Sequence, residues 1–112
     1  MQTYGKNHQS LAKAIFKEDL NTIILSKEWI IVDIRMPLDF MEGHLKGAIN
    51  LTTQEELQTL LKNNANKKIL LNCYSGHTVS LLGSDLVQNG YTNVYFLDEE
   101  ISVCLRFLSE QE

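Results

Sequence analysis

Three short runs, dominated by apolar and β-branched residues, constrain the fold of this chain more than any other feature. Trp29 to Ile34 reads WIIVDI, Ile69 to Cys73 reads ILLNC, and Asn93 to Leu97 reads NVYFL. None of them alternates apolar with polar residues. Each is therefore expected to be a strand buried on both faces, as in a parallel sheet covered by helices. The intervening segments carry helix signals. Thr53 followed by Glu56 is a capping-box pattern, and Leu57, Leu60 and Leu61 recur at helical spacing, predicting a surface helix from Thr53 to Lys62. Thr78 to Asn89 predicts a helix with Val79, Leu82 and Leu86 on one face and Gly90 as its C-terminal cap.

The remaining elements are shorter. Pro37 suits the first turn of a helix reading PLDFME, which Gly43 is expected to end in a left-handed conformation. GAINL is a very short strand candidate, and EEISVCLRFLSE a closing helix. Near the start, Ser10 to Leu20 predicts a helix with Leu11, Ala14 and Ile15 inward, while NTIILSKE fits either a strand or a helix end. Strands separated by helical segments predict an α/β fold with a parallel central sheet covered on both faces. Ligands in such sheets bind beyond the carboxyl ends of the strands.

With 112 residues, 44% hydrophobic and 21% charged, the chain is expected to form one folded domain, residues 1–112. Its formal net charge is -4, and the longest basic run is the Lys67-Lys68 pair, so the footprint of a nucleic-acid partner is missing. The opening segment breaks every short apolar run with charge, offering neither a signal-peptide core nor a membrane span, and a cytoplasmic location is expected. The two cysteines, Cys73 and Cys104, do not suggest a disulfide framework there. No CxxC pair or His/Cys cluster has metal-ligand spacing, so neither zinc nor another metal is indicated.

Cys73 stands where an apolar run stops and a small polar turn, YSGHT, begins. Two readings of it stay open on the residues alone. It can be a small apolar residue finishing a buried strand, since free cysteine is among the most buried residue types. Alternatively, Tyr74, Ser75, Gly76, His77 and Thr78 curl tightly between strand and helix and turn successive N–H groups toward the sulfur. Such a nest at a helix N-terminus stabilises a thiolate or a persulfide anion.

Two ordered motifs resemble the rhodanese-like domain family in its small single-domain form. IVDIRMPLDFMEGHLKGAINL, Ile31 to Leu51, is similar to the family's V-D-[VI]-R stretch followed by a short helix and E-G-H-[IL]-x-G-A-x-[NH]. CYSGHTVSLLGSDLVQNGYTNVYFLDEEI, Cys73 to Ile101, is similar to its C-x-S-G-x-[RT]-S stretch, following helix and G-[YF]-x-N-V-x-x-L. The resemblance runs from about Ser10 to Leu108. It implies a three-layer α/β/α domain with a mostly parallel sheet of about five strands. It further implies that Cys73 is the catalytic nucleophile. Cys73 would take sulfane sulfur from a small donor, become a persulfide, and pass the sulfur to a thiol or an acceptor protein without any cofactor. Tyr74, Ser75, Gly76, His77 and Thr78 would be the cradle. The six-residue loop, Cys73 to Thr78, matches the sulfurtransferases of the family and not the longer loop of the related phosphatases.

The departures set a second expectation. Where active members commonly carry arginine, at the second and sixth loop positions, this chain has Tyr74 and Thr78. The family's glycine pair is replaced by Glu99-Glu100, and its closing-helix tryptophan falls at Cys104. Thiosulfate activity is therefore expected to be weak, and the alternative is a catalytically inactive binding or regulatory module on the same fold. Asp33 and Arg35 are expected to form a buried ion pair that ties loops together. His44 is expected to bond backbone in a turn, and Cys104 to pack in the core with Ile101, Leu105 and Leu108. His77 either supplies positive charge to the cradle or is an exposed residue without a role.

Overall fold

A computed structural model describes residues 1–111. Its strands are β1 (Lys13–Ile15), β2 (Trp29–Asp33), β3 (Ile49–Asn50), β4 (Lys68–Asn72) and β5 (Val94–Leu97). Its helices are α1 (Leu20–Leu25), α2 (Pro37–Glu42), α3 (Gln54–Asn63), α4 (His77–Gln88) and α5 (Ile101–Ser109), with a 3-10 turn at Lys17–Asp19. The five strands form one sheet in the order β1-β5-β4-β2-β3, and every pairing is parallel.

The apolar runs do not alternate because both sheet faces are covered. Val32, Ile69, Leu71, Val94 and Phe96 pack with Leu57 and Leu61 of α3 and Val79 and Leu86 of α4. Ile31, Leu70 and Leu97 point the other way, toward Leu20 and Ile23 of α1 and Ile101 and Cys104 of α5. Leu70, Leu71 and Phe96 are wholly buried, each contributing roughly 1.5–3 kcal/mol through removal from water. No helix among the described residues is long and apolar enough to cross a membrane.

Residues 10–20 depart from the helix expected of them. Lys13–Ile15 is strand and Lys17–Asp19 a 3-10 turn, and the helix that follows takes up the ambiguous segment as α1. The strand wins because β5 otherwise presents an open edge: Lys13, Ala14 and Ile15 pair with Tyr95, Phe96 and Leu97, and the Asp98 N–H donates to the Ile15 carbonyl at 3.0 Å. Leaving such buried backbone groups unpaired costs roughly 1–3 kcal/mol each, against helix-propensity differences of about 0.7 kcal/mol or less per residue. Ala12 also fits tightly against α4, where a methyl added at Gly83 would lie 2.8 Å from the Ala12 Cβ.

The other boundaries fall within two residues of expectation. Thr53 caps α3 in the reciprocal arrangement with Glu56. Gly90, at φ 97°, closes α4: its N–H donates to the Val87 carbonyl and that of Tyr91 to the Leu86 carbonyl. Gly43 differs from expectation. Its φ of 172° and ψ of 135° are extended backbone, and α2 ends with the Gly43 N–H on the Phe40 carbonyl.

Connections leave β2 and β4 toward opposite sides of the sheet, because β3 lies beyond β2 on one side and β5 beyond β4 on the other. Register places Asp33, the last residue of β2, beside Asn72, the last of β4. The loops after these two strands therefore open together at the carboxyl edge of the sheet, where an α/β fold offers its crevice.

Candidate functional site

Cys73 follows the last residue of β4 and is 5% exposed, with its side chain in the cluster formed by α3, α4 and the sheet. Asn72 precedes it. By strand alternation its amide faces the opposite layer, fully buried, with no hydrogen-bond partner for either polar atom among the described residues.

The loop over Cys73 is fixed at several points. The Tyr74 carbonyl accepts the Ile101 N–H at 2.9 Å, tying the loop to the start of α5. The Ser75 hydroxyl accepts the His77 N–H at 3.4 Å. Gly76 is buried, at φ 100° and ψ -11°, and its carbonyl accepts the Ser80 N–H at 3.0 Å as the first bond of α4. Glycine is required there twice over. An L side chain rarely adopts that φ, and an added Cβ would sit 2.8 Å from the Leu97 carbonyl oxygen. His77 and Thr78 open α4, both exposed. Apart from the His77 N–H, which the Ser75 hydroxyl takes, the N–H groups of this first turn, those of Thr78 and Val79, have no carbonyl four residues earlier in the helix and can meet an anion.

The five cradle residues expected from the sequence are thus contiguous around the turn, with different environments. Tyr74 turns its ring outward, half-exposed. Its hydroxyl donates to an Asp39 carboxylate oxygen and accepts the Met36 N–H at 3.3 Å. The hydrogen bond to Asp39 is the main reason its phenol titrates above the ordinary tyrosine range. The Arg35 guanidinium lies 5.8 Å from the ring centroid. Its charge is committed elsewhere: it donates to both Asp33 carboxylate oxygens at 2.8–3.0 Å and to the Gly43 carbonyl at 2.6 Å. The expected Asp33–Arg35 pair therefore clasps the loop after β2 to the end of α2. Asn50 completes the clasp, its amide donating to the Asp33 and Arg35 carbonyls at 2.9 Å.

His44 meets backbone as expected, with Nδ1 2.7 Å from the Phe40 carbonyl oxygen, and stacks on the Phe40 ring. Cys104 is wholly buried on α5, and burial pushes its thiol up to about 12. Both cysteines are unbridged. Glu99 does not load the site with free negative charge, because it binds Lys17 through both the backbone N–H and the ammonium.

A segment that sequence reasoning passed over lies against the loop. An antiparallel bridge joins Tyr4 to Ser10, and the turn between them closes on Asp98, a fully buried carboxylate. Asp98 accepts the N–H groups of Lys6, Asn7 and His8 at 2.7, 2.8 and 3.0 Å. His8 Nδ1 lies 3.1 Å from the same carboxylate, and its ring is 5.5 Å from that of His77. An added Cβ at Gly76 would stand 3.3 Å from His8 Nδ1, so this segment backs the turn directly. Nothing local announces the contact, since its partners are about ninety residues apart.

Comparison with known proteins bears on the fold and the family. The family description "Rhodanese-like domain" matches residues 16–103. Over 69 residues the chain is 32% identical to a protein named thiosulfate sulfurtransferase GlpE from Stutzerimonas stutzeri strain A1501, covering 62% of this chain and 63% of that one. Over 98 residues it is 26% identical to a tRNA uridine(34) hydroxylase of Wigglesworthia glossinidia brevipalpis, covering 82% of this chain but 31% of the relative. The chain thus spans under two thirds of either relative's length. Among solved structures, reduced CoADR-RHD of Bacillus anthracis superposes with a TM-score of 0.74 at 22% identity, over 88% of this chain and 17% of that one. A rhodanese-related protein from Thermoplasma volcanium superposes with a TM-score of 0.64 at 22% identity, over 84% and 91% of the two chains. Matched over most of its length and built on the same parallel sheet, the chain belongs to the rhodanese-like domain family.

Proposed function

We propose that this protein is a sulfurtransferase or sulfur carrier that works through a persulfide on Cys73. The observation that carries the reading is the junction itself: a cysteine at the end of β4, under a turn whose glycine is held left-handed by close packing, ahead of the open N–H groups of α4. The Cys73 thiolate attacks the outer sulfur of a donor, the donor's sulfur–sulfur or sulfur–sulfonate bond breaks, and the donor leaves with the electron pair. A thiol or an acceptor protein then takes the sulfur in the reverse sense. Tyr74, Ser75, Gly76, His77 and Thr78 hold the anionic sulfur through backbone amides and the field of the helix N-terminus. No metal or organic cofactor enters this chemistry. A reducing compartment such as the cytoplasm suits it, because it keeps the thiols free.

A second reading, a binding or regulatory module without turnover, draws support from the burial of Cys73 and from Tyr74 and Thr78 in place of cationic side chains. Intact-mass measurement after incubation with a low-charge persulfide decides between them. Gain of one reducible sulfur atom, absent in Cys73→Ser, is the result expected of a carrier. Folded protein that gains none is the module.

A further inference from the structure

Beside the loop lies a cleft of about 630 Å³, within the size range of small-molecule sites. Its lining is mixed in sign. Lys6 and His8 come from the segment clamped on Asp98, Glu99, Glu100 and Val103 from the turn after β5 and from α5, and Ser75 from the loop itself. Two of these groups are already engaged. His8 bonds Asp98, and Glu99 is paired with Lys17. Lys6, whose ammonium lies 5.3 Å from the Phe16 ring centroid, and Glu100 form no ion pair among the described residues. The cleft lining thus includes one lysine outside any ion pair, whose field also reaches the Glu18 carboxylate, and one such glutamate, and their formal charges sum to zero.

Such a cleft matches a ligand that carries both signs and no net charge. A doubly charged anion finds its second charge opposed by Glu100, and a ligand of single charge leaves one wall unanswered. Since the lining includes Ser75, two residues beyond Cys73, a ligand held there borders the sulfur-bearing loop. We infer that the cleft is the recognition site for a zwitterionic α-amino-acid persulfide, whose carboxylate meets Lys6 and whose ammonium meets Glu100. This substrate class rests on the Cys73 persulfide reading. In the transfer step the Cys73 thiolate bonds to the outer sulfur of R–S–SH, the donor S–S bond breaks, and R–S⁻ leaves with the electron pair. The proton stays on the new Cys73 persulfide or passes to R–S⁻, so no external oxidant or reductant is needed.

The test separates binding from chemistry by using inert thioethers. S-methylcysteine carries both charges, 3-(methylthio)propionate only the carboxylate, and 2-(methylthio)ethylamine only the ammonium. In NMR titration of the whole chain, S-methylcysteine is expected to shift amides of residues 6–8 and 99–103 and to bind roughly threefold or more tightly than either single-charge analogue, the scale of an exposed ion pair. Lys6→Ala and Glu100→Gln should each remove that advantage while leaving the spectrum folded. Equal binding of the three compounds, shifts confined to other surfaces, or variants that bind as the wild type would overturn the assignment. Sulfur loading of Cys73 is scored separately by mass. If the cleft selects S-methylcysteine and Cys73 takes no sulfur, the persulfide reading fails and the zwitterion site stands. If Cys73 loads equally from cysteine persulfide and from uncharged 2-hydroxyethyl persulfide without charge-selective binding, the carrier stands and the cleft assignment fails.

Discussion

Substitution of Gly76 by alanine isolates how much the turn over Cys73 depends on close packing, because Gly90 supplies an internal reference. The two glycines have nearly the same φ, 100° and 97°. Forcing an alanine into that region costs about 1–2 kcal/mol at either position. Only Gly76 adds a collision, with the Leu97 carbonyl oxygen at 2.8 Å and Asp98 Cα at 3.1 Å, whereas a Cβ at Gly90 meets nothing within 4 Å. Both obstacles at Gly76 are backbone, so relief requires β5 or the loop to shift, adding about 1–3 kcal/mol. Gly90→Ala is therefore expected to lose about 1–2 kcal/mol and Gly76→Ala about 2–5 kcal/mol, out of the 5–15 kcal/mol usual for a domain. Urea unfolding followed by the fluorescence of Trp29, the single tryptophan, measures both on one scale. Equal losses in the two variants would show that the turn is not wedged against β5 and would remove the packing argument for the shape of the cradle.

Four further outcomes are expected. Asn72→Leu replaces a buried amide that has no partner among the described residues by an apolar group of similar size and should raise stability by about 1–3 kcal/mol in the same assay; a loss would mean that the amide is satisfied in solution. Iodoacetamide should label Cys73 well ahead of Cys104, as mapped by peptide mass, because Cys104 is wholly buried with its thiol held near 12. The same shift has a stability sign: above about pH 9 the unfolded chain releases that proton and the folded chain keeps it, so stability falls by up to about 1.4 kcal/mol per pH unit toward 12, and Cys104→Ala should flatten this alkaline slope. Finally, Thr78→Arg, at an exposed position in the first turn of α4, should raise thiosulfate turnover about tenfold or more if an added charge-assisted contact is worth roughly 1.5–3 kcal/mol in the transition state. Efficient thiosulfate turnover by the unaltered protein, or no gain in a folded variant with Cys73 still reactive, would show that the missing arginine does not limit the site.

What could be read from the sequence was what short-range physics decides. The runs around Ile31, Leu70 and Phe96 announced doubly buried strands because each residue has a covered face to point into. Thr53 and Glu56 announced a helix start because their hydrogen bonds are local. The Asp33–Arg35 pair spans two residues and was equally legible. Lys13–Ile15 was misread because its helical spacing is local while the edge it completes, β5, lies some eighty residues away. Gly43 was misread because its backbone serves Arg35, whose guanidinium needs a carbonyl aimed at it, and not the helix alone. Lys6 and His8 escaped notice for the same reason, since a polar segment near one end of a chain carries no signal of a carboxylate near the other.

The placement of β1 has a consequence for how the polypeptide matures during translation. Every other strand pairs with a neighbour within about forty residues of chain, but β1, the earliest made, finds its partner only in β5, the last. The segment before it closes on Asp98, one residue beyond that partner. During synthesis both must wait until Leu97 and Asp98 have left the ribosome, so a nascent chain arrested before that point holds an exposed first strand, an open sheet edge and a Gly76 turn without its backing. Long-range closure of this kind is slow compared with helix or hairpin formation. The cysteine loop is thus assembled last, although its residues are made in the middle, and reactivity at Cys73 should emerge only as the two ends of the chain come together.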